Sequence, residues 1–178
     1  MEPPVVARDR LDGWRRTEET VERPFEAGPV SVTAATAQYE RDGTAPRPFL
    51  FASRLRIRPA AAPNAALTRL VEERSRAGFR GRLADRGVES VSRRDERAFT
   101  VDDPTASTAT LWTFRGRCTV GGSSVPVEAL LAVWESGEYL VAGGGYPVDG
   151  DREATRRDVL AAVRGVRPPG SNGGDRPE

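Results

Sequence analysis

Five arginines sit where extended chain would place them on one face: Arg54, Arg56 and Arg58 in one run, Arg115 and Arg117 in another. A guanidinium grips phosphate or carboxylate through two parallel hydrogen bonds. If the two runs form neighbouring strands, ~4.8 Å apart, five guanidiniums share one anion-binding surface. The competing account is a solvated sheet face whose arginines pair across strands with Glu or Asp. The rest of the composition narrows the chemistry. All 27 basic residues are arginine, and the chain has no His and no Lys. Without His there is no Ser-His-Asp triad, no Cys-His dyad and no His-ligated metal. Without Lys there is no Schiff base and no phosphate-binding lysine of the Walker type. Cys118 is the single cysteine, so it forms neither an internal disulfide nor a cysteine metal cluster. No catalytic residue, metal ligand or cofactor motif stands out, and the chain leans away from an enzyme; its 26 acids leave acid–base work by a carboxylate pair open, but no pair is marked by its neighbours.

The other candidates each have a plainer explanation. Residues 54–97 are basic, and on the helix expected there Arg69, Arg76 and Arg80 fall near one face. Such a patch can contact nucleic-acid phosphates. The aromatics, however, lie in apolar strand faces and are not interleaved with these arginines, and Glu72 and Arg76 make an ordinary i,i+4 helix pair. Gly143, Gly144 and Gly145 precede a helix but lack phosphate-loop spacing; they are expected to let a helix pack closely on the last strand or to form a bulge. Asp149, Asp151 and Glu153 alternate like the start of a calcium loop, yet Ala154 stands where that loop needs glycine, so helix capping is the better account. Cys118 shares an apolar face with Trp112 and Phe114, which makes it a buried, inert thiol.

Spacing also sets out the elements that would position these residues. Strands are expected over 20–26, 30–40 and 49–58. In the last, Phe49, Phe51, Ser53, Leu55 and Ile57 alternate with Leu50, Ala52, Arg54, Arg56 and Arg58. Asn64 can cap a helix over 65–86, with Leu67, Val71, Phe79 and Leu83 on its inner stripe and Gly87 at its end. Strands over 89–93 and 97–101 flank a charged turn at Arg94–Glu96, followed by 109–120, 125–134 and 138–145. The run from Val125 to Trp134 is apolar on both faces and should be central. A second helix covers 151–166. Hairpin-length connections imply a mostly antiparallel sheet of six or seven strands packed against two helices, an α+β fold.

The chain of 178 residues suits one domain over 14–166, with a flexible N-terminus at 1–13 and a disordered Pro/Gly-rich tail at 167–178. There is no apolar run long enough for a membrane span and no secretory leader pattern, and a cytoplasmic setting is expected. A net charge of +1 steers it toward neither nucleic acid nor membrane. The single Ile57, two Asn and one Gln, beside abundant Ala, Gly, Arg, Val and Pro, follow GC-rich coding, which accounts for the missing lysine.

The order of elements over residues 20–166 resembles the Mog1/PsbP-like fold, an antiparallel sheet between helices. The stretches FLFASRLRIRP (49–59) and LVAGGGYP (140–147) are similar to those of uncharacterised proteins of halophilic archaea. The first resemblance implies a binding or assembly role with a protein partner and no cofactor. A phosphate- or nucleic-acid-binding module using Arg54, Arg56, Arg58, Arg115 and Arg117 is the alternative.

Overall fold

The computed structural model describes residues 1–170. Strands β1 (Val5–Val6), β2 (Trp14–Ala27), β3 (Val30–Arg41) and β4 (Phe49–Arg58) precede helix α1 (Ala65–Asp85). Strands β5 (Val88–Phe99), β6 (Ala109–Val120), β7 (Ser123–Glu135) and β8 (Tyr139–Pro147) follow, then helix α2 (Arg152–Arg164) and β9 (Val166–Arg167). Seven strands form one antiparallel sheet in the order β2-β3-β4-β8-β7-β6-β5. The chain is thus α+β, with β7, apolar on both faces, in the interior of the sheet.

One helix covers each face. On one side α2 packs Val159, Ala162 and Val163 against Leu130, Ala132, Leu140 and Tyr146. On the other, α1 packs Val71, Phe79 and Leu83 against Phe51, Phe114 and Leu131. Both helices start at the expected caps: Asn64 Oδ1 accepts from the Leu67 amide at 3.0 Å, and Asp151 Oδ1 from the Ala154 amide at 3.4 Å. Capping therefore accounts for Asp151 in the acidic triplet.

Three expectations change. Residues 89–93 and 97–101 are one strand, β5, and Arg94–Glu96 is no turn. Two register shifts, between Glu89 and Ser92 and between Arg93 and Asp95, let a charged run stay paired to β6. A charged, bulged edge strand resists pairing with other chains, which is why its composition imitates a turn. The N-terminus is part of the fold: Val5–Val6 pairs with β9, Val6 is buried, and the Ala7 amide donates to the Gly165 carbonyl at 3.0 Å. Arg167 correspondingly lies in β9, while residues 171–178 of the expected tail lie outside the described residues. Finally, Gly143 and Gly144 form no bulge. They stand in unbroken register between β4 and β7, and a Cβ would collide with the Leu130 carbonyl oxygen at Gly143 and the Phe49 carbonyl oxygen at Gly144. Close strand approach is what requires glycine there.

The sheet is wider than the helix beneath which it lies. Seven strands span ~29 Å between the outermost two, whereas a helix is about 10–12 Å across. Helix α1 packs chiefly on β5 and β7. Over β3 and β4 the contact is looser, although Val32, Ala34, Thr36, Phe51 and Ser53 on the α1-facing side are buried.

Candidate functional site

The five nominated arginines do not form one surface. Strands β4 and β6 are separated by β8 and β7, three strand spacings or ~14 Å. Arg54 lies opposite Leu140, and Arg115 opposite Glu128, which faces Tyr146. Leu140 and Tyr146 are six residues apart on β8, ~20 Å along the strand. Arg54 is engaged by the Glu138 carboxylate at 2.6 Å, and Arg117 donates to Ser124 Oγ at 2.7 Å. Arg56 and Arg58 are exposed opposite Thr33 and Ser31.

Arg115 belongs to a different cluster, centred on the buried Glu128 of β7. One Glu128 carboxylate oxygen accepts from Arg115 Nε at 2.8 Å and Arg152 at 3.0 Å; the other accepts from Arg156 and from the Tyr146 hydroxyl. Three guanidiniums on β6 and α2 thus converge on one strand carboxylate and fix the N-terminal half of α2 to the sheet. Burial pushes the Glu128 carboxyl up, but the hydrogen bonds from Tyr146 and Arg156, the Arg156 charge and the Arg115 bond outweigh it, and its pKa falls below the ordinary range. Burial and the adjacent Glu128 drive the Tyr146 hydroxyl well upward. Asp103 behaves as Glu128 does: burial raises it, while bonds from Ser136 and Thr105 bring it below its usual value. Glu128 accepts four hydrogen bonds and Asp103 three, and both carboxylates are held ionised, the reverse of what a general acid needs.

The arginines of α1 have a third fate. Arg74 lies 4.4 Å from the Phe25 ring centre, Arg76 5.3 Å from Trp112, Arg80 6.0 Å from Phe114 and Arg82 4.9 Å from Phe51. These guanidiniums roof the half-buried Phe25 ring and the buried rings of Phe51, Trp112 and Phe114 with cation–π contacts, so Arg76 and Arg80 do not stand as a simple polar face, and the buried rings are not open to stacking bases.

A concavity lies where α1 meets β2–β4. A groove of about 490 Å³ runs between α1 and strands β2–β4. Its floor is built by Ala34 and Thr36 of β3 and Phe51, Ser53 and Ile57 of β4. Short side chains on β3 give the groove its depth. Its helix wall includes Leu67, Val71, Gly78, Phe79 and Gly81. A Cβ added at Gly78 or Gly81 would meet nothing within 4 Å. Each glycine in a helix interior costs about 0.8–1.0 kcal/mol relative to alanine, and here no neighbouring atom demands it. Volume and apolar lining match sites for small molecules. None of this was nominated from sequence; the signals were the Ala/Thr-rich run of β3 and two glycines inside an otherwise helical pattern.

A family model described as Domain of unknown function (DUF6517) matches residues 3–167, from just before β1 to the end of β9. No curated protein and no solved structure matches the chain.

Proposed function

The chain belongs to that DUF6517 family, and we propose that it is a non-catalytic binding domain whose groove between α1 and β2–β4 takes a small apolar molecule. The observation that carries this reading is the ~490 Å³, mainly apolar groove whose helix wall contains two glycines with open space beside them. Ionised, hydrogen-bonded Glu128 and Asp103 support a binding role over acid–base catalysis. The kinship with Mog1/PsbP-like proteins belongs to the same reading, supported by one helix on each sheet face; a cytoplasmic setting is supported by the single, free Cys118. Among the described residues no helix is long and apolar enough to cross a membrane.

Nile red, an uncharged dye whose emission rises in apolar surroundings, tests the groove. The full chain should bind it at one site, and Gly78→Leu should abolish uptake. The pair Gly78→Ala and Gly81→Ala should raise the unfolding midpoint by roughly 3–8 °C, because two helix glycines are removed. The same pair should weaken dye binding, because two methyl groups enter the groove. Dye uptake unaffected by all three substitutions would refute the site.

A further inference from the structure

The floor of the groove carries a surplus donor. Thr36 Oγ1 and Ser53 Oγ lie 2.7 Å apart and both are buried. Two hydroxyls bring two O–H donors, and the bond between them uses one. Among the described residues neither hydroxyl has a second hydrogen-bond partner, and both line the groove. The second proton is left to face whatever fills the space, and only an acceptor satisfies it.

The charges of the lining argue against an ionic occupant. Glu22 and Asp85 stand against Arg74 and Arg82, a sum of zero. The two guanidiniums are laid over the Phe25 and Phe51 rings, so the wall they present is a flat cation–π roof. A headgroup of either sign would meet its like as well as its opposite. Shape narrows the choice further. The helix wall runs from Leu67 to Asp85, eighteen residues or ~27 Å, while the groove's modest volume makes it narrow for that length. An extended chain fits such a slot; a partner helix, about 10–12 Å across, does not enter it.

We infer that the groove takes an uncharged, elongated lipid-like molecule with an ester or ketone oxygen, which accepts the spare hydroxyl proton of the Thr36–Ser53 pair. The inference rests on the reading of the groove as a ligand site. Calorimetric titration of the full chain with methyl octanoate, octanoate and octylammonium separates the classes. Methyl octanoate should bind at least about tenfold more tightly than either ion. Thr36→Val with Ser53→Ala should weaken the ester about three- to tenfold, the worth of one hydrogen bond, and should leave the thermal midpoint unchanged or raised, since a buried donor pair is replaced by apolar groups. Equal or tighter binding of an ion, or an ester affinity untouched by the double substitution, overturns the inference. No ester binding while Nile red is still taken up overturns it as well and leaves the ligand site standing. Loss of both signals overturns the site itself.

Discussion

Replacing Glu128 by Ala should destabilise the protein by about 3 kcal/mol, read as a fall in the denaturant midpoint at neutral pH. Breaking a buried ion pair by removing one partner costs about 3–5 kcal/mol, because the other charge is left uncompensated. Here three guanidiniums lose their common carboxylate. The lower end applies because Arg115 and Arg152 are each about a third exposed, at 34% and 37%, and can turn to water; Arg156, at 21%, has less freedom. Glu128→Gln should cost nearly as much. Its shape is retained, but the amide nitrogen sets donors against either Arg115 and Arg152 or Arg156 and Tyr146. A Gln variant as stable as wild type would show that the cluster is held by volume alone.

The same residue sets a pH dependence. Glu128 and Asp103 have folded-state pKa values below their unfolded ones. The stability they contribute is therefore fully present above the unfolded carboxyl values, about pH 4, and is lost as pH falls through the depressed folded values. Wild type should lose stability steeply below about pH 4. Glu128→Gln lacks one of the two groups, so its deficit relative to wild type should narrow as the solution is acidified. A deficit that stays constant from pH 7 to pH 3 would contradict this.

How much of this was legible in the sequence depends on range. Alternation in Phe49–Arg58 and the caps Asn64 and Asp151 are local signals, and β4, α1 and α2 follow from them. Alternation also places Cys118 correctly in the apolar layer with Phe114. It fixes the face of a side chain and says nothing about the neighbouring strand. Strand β4 pairs with β8, some ninety residues later, and that pairing parts Arg54 from Arg115. The short β1 has two residues, too few for any periodicity. Glu128 did leave a mark: an acid between Val127 and Ala129, in a strand apolar on both faces, must find partners, although its partners Arg152 and Arg156 are supplied by an element that periodicity cannot dock. The groove arises from a mismatch of widths between one helix and seven strands, which no local pattern encodes.

Phe79→Ala should be the most damaging single truncation in α1, costing about 3–5 kcal/mol and lowering the thermal midpoint by on the order of 10 °C. Only Val71, Phe79 and Leu83 of the helix are buried, so Phe79 is its principal anchor. Its ring lies 5.7 Å from that of Phe51 in a tilted contact and 5.8 Å from that of Phe114 edge-on, and such pairs add about 0.5–1.5 kcal/mol beyond burial. Phe79→Leu, which keeps most of the volume, should lose far less, separating packing from any general intolerance of the site. Phe79 also lines the groove, so truncation enlarges the very space proposed to hold ligand. A ligand that binds only the folded state stabilises it in proportion to its affinity. Saturating methyl octanoate should therefore raise the midpoint of the wild type, and raise that of Phe79→Ala by more, because the ester's chain can occupy the vacated volume. An ester that stabilises neither protein would leave Phe79 as a core residue and nothing else.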